Sequence, residues 1–172
     1  MARYRLGFLV ALIVLGFDQL TKWIVTGPMG LVVEGDQHVF LPIFNFTLTH
    51  NEGISLGLLN ATNPVGRWML VGLTTAIAIG VAIWLGREEN RTDKIALGMV
   101  LGGALGNILD RTLHGYVVDF LDLHFGEFRP FLIFNVGDAA ISIAVVILLL
   151  RAFLTRKDHN EGGDAKETIE HA

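Results

Sequence analysis

FNVGDAAISIAVVILLL, residues 134–150, is apolar almost throughout, yet its head carries Asn135 and Asp138. Read from Val136 to about Leu154, the segment is close to the roughly 20 residues that one helical crossing of a bilayer takes. An ionisable group inside a span is expensive and usually serves a purpose. The segment therefore sets two expectations: a membrane protein, and a polar site where its last span begins.

Working outward, three more apolar runs fit spans: about Leu6 to Thr26, about Trp68 to Gly86, and a short one from about Ile95 to Asp110. Long apolar runs separated by short polar segments indicate a polytopic membrane protein. The hydrophobic fraction of 52% alone would not. The 172 residues suit one domain, 1–157, followed by a polar tail, 158–172, whose composition predicts disorder. Arg3 and Arg5 before Leu6–Phe17 imitate a secretory signal. No small-x-small cleavage site follows, and apolar character resumes after Lys22, so the run reads as a retained span.

Charge sets the expected orientation. Arg3 and Arg5 precede the first span, Arg87, Arg91 and Lys94 separate the second from the third, and Arg151, Arg156, Lys157 and Lys166 end the fourth. Segment 27–66 has no Lys or Arg, and 111–135 has only Arg111 and Arg129. The positive-inside rule then places both termini in the cytoplasm and these two segments outside. In Phe44-Asn45-Phe46-Thr47-Leu48-Thr49 apolar and polar residues alternate, as in a half-buried strand, with Pro42 and Asn51-Glu52-Gly53 as breakers. Tyr116–Leu123 is also β-prone. The expected fold is mainly α: four transmembrane helices carrying a small extracytoplasmic β-sheet, built from about 31–60 and about 111–135.

Several chemistries are excluded or disfavoured. There is no cysteine, which removes disulfides, thiolate metal sites and cysteine nucleophiles. No two of the 6 histidines are spaced as a helical metal pair, so no metal site is expected. Neither Ser55 nor Ser142 lies in a nucleophile-elbow motif. The net charge of -4 gives no support for nucleic-acid binding.

The polar residues near the spans carry the remaining information. Asp18 and Lys22 are one helical turn apart with the acid first, the better order for a pair. An architectural ion pair and a functional one both fit. Gly98, Gly102 and Gly106 form a ridge for close helix approach. Asn107, Asp110 and Arg111 share one face; capping and a snorkelling arginine explain the last two, but Asn107 lies a turn inside. Asp138 can be an ordinary first-turn acid capped by Asn135, and Asp119 a solvated loop acid. The expected topology nevertheless puts both carboxylates on one face of the membrane at similar depth. Two such acids in a partly dry site share a proton, activate a water and protonate a leaving amine. A proton-coupled carrier with Asp18, Lys22 and Asp138 as a relay would spread its acids through the membrane, whereas these cluster toward one face. A non-catalytic assembly factor would tolerate conservative loss of either aspartate.

Five stretches, taken in order, resemble the bacterial lipoprotein signal peptidase family (signal peptidase II). They are Asp18-Gln19-Leu20-Thr21-Lys22, Asn51-Glu52-Gly53, Gly102 through Arg111, Val117-Val118-Asp119-Phe120, and Phe134-Asn135-Val136-Gly137-Asp138. The resemblance covers most of residues 10–150. It implies a multi-pass aspartyl endopeptidase of the bacterial cytoplasmic (inner) membrane, with a β-cradle and its active site at the outer face. Such an enzyme removes the signal peptide from prolipoproteins, cutting before a cysteine that already carries diacylglycerol. By resemblance Asp119 and Asp138 are the catalytic pair. Asp18, Lys22, Asn51, Gly53, Asn107, Arg111 and Asn135 match site-supporting or substrate-binding positions. The implied partners are lipid-modified prolipoproteins and membrane lipid, with no cofactor, metal or nucleic acid. Two departures stand out. Gly137 replaces the common alanine, which predicts a dyad left in place with looser packing. Ile54-Ser55-Leu56 stands where small residues and an aromatic are common, a difference that bears on substrate or lipid contacts.

Overall fold

A computed structural model describes residues 5–53 and 64–170, with backbone alone from 155 onward. The run Ile54-Ser55-Leu56 lies outside the described residues. The chain order is α1 (Arg5–Thr26), β1 (Gln37–Leu41), β2 (Phe44–Asn51), α2 (Pro64–Arg87), α3 (Arg91–Leu113), β3 (Val117–Leu123) and α4 (Val136–Glu170). The protein is mainly helical, with one three-stranded antiparallel sheet ordered β1-β2-β3.

The helices are apolar on the outside. Leu12, Trp23, Trp68, Ile77, Ile143 and Leu150 are all exposed, which suits hydrocarbon and not water. Helices α1, α2 and the Val136–Leu154 part of α4 are long and apolar enough to cross a membrane. Helix α3 does not pass that test, since Arg91, Asp93, Lys94, Asp110 and Arg111 dilute it. It is instead the central helix, packed against the other three. Its ridge is the reason. A Cβ at Gly98 or Gly102 would run into the carbonyl oxygens of Gly7 and Ala11 on α1, and one at Gly103 into that of Gly137 on α4. Backbones this close need bare glycine at the crossing.

Two helix ends differ from expectation for local reasons. Helix α3 starts four residues before Ile95 because the Asn90 side chain caps it, accepting from the amides of Thr92 and Asp93. Helix α2 opens at Pro64, whose fixed φ fits a first turn. The backbone of α4 is helical to Glu170. Ala165, Lys166 and Glu167 are good helix formers.

Strands β2 and β3 lie where alternation and β-propensity respectively placed them, with Thr49 opposite Asp119 and Asn51 opposite Val117. Strand β1 was not expected as a separate element. All five of its residues are exposed, so it has no buried face to write a period-two pattern. Val25 and Leu31, at and beyond the end of α1, pack with Leu48, Val118 and Phe120 and seat the sheet on that end of the bundle.

Candidate active site

The chain crosses the sheet end of the bundle several times, and each crossing contributes a polar side chain. Strand β3 carries Asp119, which is 1% exposed. Its Oδ1 accepts from Asn135 Nδ2 at 2.7 Å and its Oδ2 from Asn51 Nδ2 at 2.9 Å. Asp138, in the first turn of α4, accepts from Asn107 Nδ2 at 2.8 Å through Oδ1 and from the Asn135 backbone amide at 3.2 Å through Oδ2. Asn135 Oδ1 in turn accepts from the Asp138 amide at 2.9 Å. This is a reciprocal cap, as simple helix chemistry requires. The cap has a second use. The Asn135 amide nitrogen also donates to Asn107 Oδ1 at 3.0 Å, so one side chain joins both aspartates and α3.

Asn51 is aimed by its own turn. Its Oδ1 accepts from the Gly53 amide at 3.0 Å, which turns the amide nitrogen toward Asp119. Gly53 has φ +111°, a backbone conformation that side chains resist.

Behind this pair lies a second group. Lys22 Nζ sits 2.7 Å from Asp18 Oδ2 and 2.8 Å from Asp110 Oδ2, and all three side chains are buried. Asp18 Oδ1 accepts from the Gly137 amide at 2.9 Å, and Asp110 Oδ2 from the Val118 amide at 3.1 Å. These are the peptide groups just before Asp138 and Asp119. The ion-paired group therefore holds the backbone that presents each candidate acid. Gln19 Nε2 donates to Asp110 at 2.9 Å and to Asp18 at 3.2 Å. Lys22 also donates to Asn107 Oδ1 at 3.4 Å, linking the two groups.

Asp119 lines a cleft of about 950 Å³ together with Asn51, Gly53, Arg111, Leu70 and Phe131. Burial, then the nearby charge of Asp138, pushes the Asp119 carboxyl up to about 7, against the opposing hydrogen bonds from Asn51 and Asn135. Arg111 lies within electrostatic reach of Asp119, Asp138 and Asp110, and its buried Nε has no hydrogen-bond partner among the described residues.

All nine residues singled out in the sequence thus meet at this end of the molecule. Asp119, Asp138, Asn51, Asn107 and Asn135 form one hydrogen-bonded set, with Gly53 shaping it and Arg111 beside it. Asp18 and Lys22 stand behind. Asp110 and Gln19 were not chosen as site residues, although both lie inside the quoted motifs. Asp110 was read as a cap, and only the fold brings it to Lys22. Arg67 was also missed. It closes the end of α3 by donating to the carbonyls of Arg111 at 2.7 Å and Thr112 at 2.6 Å. Packing at Gly137 is tight, not loose: an added Cβ would meet Asn135 Oδ1 and Gly103 O at 3.1 Å and Asp18 Oδ1 at 3.2 Å.

The site is spread over β2, α3, β3 and α4, and the known proteins that match the chain match it across all of these. A family model described as signal peptidase (SPase) II matches residues 10–154. The chain belongs to that family. A lipoprotein signal peptidase of Sphingopyxis alaskensis is 47% identical over 166 residues, covering 96% of this chain and 95% of that protein. One of Rhizorhabdus wittichii is 51% identical over 152 residues, 88% of each chain. A bacterial membrane enzyme solved by the in meso method superposes with a TM-score of 0.75 at 28% identity, over 88% of this chain and 90% of that one. Membership makes the chain a membrane protein of a peptidase family.

Proposed function

We propose that the protein is an aspartyl endopeptidase that removes the signal peptide from diacylglyceryl-modified prolipoproteins, cutting before the lipidated cysteine. Supporting this reading are the family and, above all, one observation: the Asn135 side chain ties Asp119 to the turn that carries Asp138, at the edge of a cleft. Burial disfavours ionisation of Asp119, and the charge of Asp138 beside it adds to that effect. With Asp119 raised to about 7, the shared proton is available at neutral pH. Asp119 then donates to the scissile carbonyl oxygen while Asp138 takes a proton from the attacking water. Collapse of the tetrahedral intermediate passes a proton to the leaving amine and restores the pair. Arg111 stabilises the developing negative charge.

In this reading all four helices span the bacterial inner membrane, with both termini cytoplasmic and the sheet outside. Helix α3 has 23 residues, about 35 Å at helical rise, enough for the hydrocarbon core. Its neighbours bury Lys94 and Asp110, while Ile95, Leu105, Leu109 and Leu113 stay exposed as an apolar face toward lipid. The substrate's acyl chains stay in lipid beside the helices while its peptide reaches the cleft.

The test is cleavage of a diacylglyceryl-modified prolipoprotein in detergent micelles by the wild type, Asp119→Asn and Asp138→Asn, each checked for helical content. Both variants are expected to lose about 10³-fold or more in kcat. A folded variant that cuts at the wild-type rate removes that residue from the mechanism.

A further inference from the structure

The segment between β3 and α4 contributes a wall to the cleft, and its anchoring is unusual. It turns at Gly126, where Phe125 and Phe128 exchange backbone hydrogen bonds of 2.8 and 3.2 Å. It then runs back beside β3, where the Phe134 carbonyl accepts from the amides of Phe120 and Leu121 at 3.0 and 2.8 Å. Between these points Arg129, Pro130, Phe131, Leu132 and Ile133 line the cleft consecutively. Phe131 and Leu132 are 62% and 91% exposed.

One side-chain anchor holds the start of this strap. Arg129 Nε donates to Asp122 Oδ1 at 3.1 Å, and Nη2 donates to Oδ2 at 3.4 Å. Asp122 is 1% exposed and also accepts from Thr47 Oγ1 at 3.0 Å, and Thr47 Oγ1 accepts from Gln37 Nε2 at 3.0 Å. A line of polar contacts therefore runs from β1 through β2 and β3 to the strap. A forked guanidinium on a buried carboxylate fixes direction as well as distance. None of these residues touches Asp119 or Asp138, so the chemistry does not require them.

We propose that Arg129 is a positioning residue for substrate, acting through Asp122. The pair holds the 129–133 strap so that Phe131 and Leu132 receive an extended apolar stretch of peptide near the scissile bond. Large apolar side chains held this far into solvent gain from being covered, and a rigid wall spends less ordering entropy when that happens. The pair therefore acts on binding and leaves the chemical step alone. This inference rests on the endopeptidase reading.

The experiment measures kcat and KM for the same lipid-modified prolipoprotein with the full chain in micelles. The variants are Arg129→Gln, Arg129→Lys, Asp122→Asn and the Arg129→Gln/Asp122→Asn double. Arg129→Gln is expected to raise KM roughly tenfold with kcat within about twofold, because only ground-state placement is lost. Arg129→Lys, which keeps the charge and loses the fork, recovers only part of the loss. The double variant is no worse than either single, the mark of two residues acting as one. An unchanged KM in Arg129→Gln, a fall in kcat at constant KM, or multiplied effects in the double variant overturns the proposal. Should Asp122→Asn fail to fold, the two Arg129 variants decide the matter, since Arg129 is half exposed. A wild type that cuts beside an indifferent Arg129→Gln sinks this inference only; a wild type that does not cut sinks the endopeptidase reading with it.

Discussion

Two pairs of aspartates share the sheet end of the bundle, and they are balanced in different ways. Asp18 and Asp110 close on Lys22 at 2.7 and 2.8 Å. Asp119 and Asp138 are held by the amides of Asn51, Asn107 and Asn135, and among the described residues no lysine or arginine forms a salt bridge with either. Asp18, Asp110 and Asp119 are buried, and Asp138 is partly so. Only the first pair has a cation placed between its acids. Amides direct a carboxylate without cancelling its charge, so Asp119 keeps a protonation that answers to pH. The first pair is thus suited to architecture and the second to chemistry, with Asn107 and the peptide groups before each acid as the mechanical link.

The largest effect that could break this division is loss of the central cation. Lys22→Met leaves two buried carboxylates facing each other, and removing one partner of a buried ion pair costs about 3–5 kcal/mol. The expected outcome is a strongly lowered unfolding midpoint in detergent together with lost cleavage. A variant as stable as the wild type but inactive would place Lys22 with the chemistry and erase the distinction.

Next in size is a steric change aimed at the same group. A Cβ on Gly106 would collide with the Asp18 carboxylate. Gly106→Ala should cost about 1–3 kcal/mol, typical of overpacking, and should lower activity by shifting the Asp18 contact to the Gly137 amide. Thermal unfolding and cleavage rates measured on one preparation check both parts. Lost activity at unchanged stability would show that the group positions the acids without holding the fold.

A pH series separates the two pairs more finely. The Asp119 carboxyl, raised to about 7, is neutral below that value and ionised above it. With the shared proton required, kcat/KM falls as pH rises through about 7. The stability contribution has the same sign. A carboxyl whose folded value exceeds its unfolded one contributes fully below the unfolded value and loses that contribution as pH rises toward 7. The Asn51 hydrogen bond opposes the shift, so Asn51→Ala should move the alkaline limb upward. A limb that stays put or moves down would contradict the assignment of the proton to Asp119.

How much of this was legible in the sequence depended on how local the cause was. The Asp18–Lys22 spacing, the Asn135 cap and the glycine ridge are properties of single helices, and each has the partners its spacing implied. Asp110 could be read only as a cap, because its partners Lys22 and Val118 are brought to it by α1 and by the turn into β3. The second use of Asn135 was likewise hidden, since Asp119 lies on another element. Hydropathy undervalues α3, whose neighbours bury Lys94 and Asp110 and so allow it charges that a wholly lipid-facing helix avoids. Strand β1 left no trace because it buries no face.

Gly137 gives the smallest test and bears on the seam between the two pairs. Its amide donates to Asp18, while the next residue is Asp138. An alanine Cβ would meet Asn135 Oδ1, Gly103 O and Asp18 Oδ1 at 3.1–3.2 Å. Each contact is tighter than usual, though a shift of a few tenths of an ångström relieves it. Two of these oxygens belong to side chains, and the third to a backbone that has no Cβ of its own. Gly137→Ala should therefore fold, with stability changed by less than about 1 kcal/mol. Any cost should appear first in kcat, because Asn135 and Asp18 are the groups that must give way and both orient the acids. If Gly137→Ala left kcat intact and lowered stability sharply, the seam would be a packing joint, and the coupling from Asp18 to Asp138 would carry no catalytic weight.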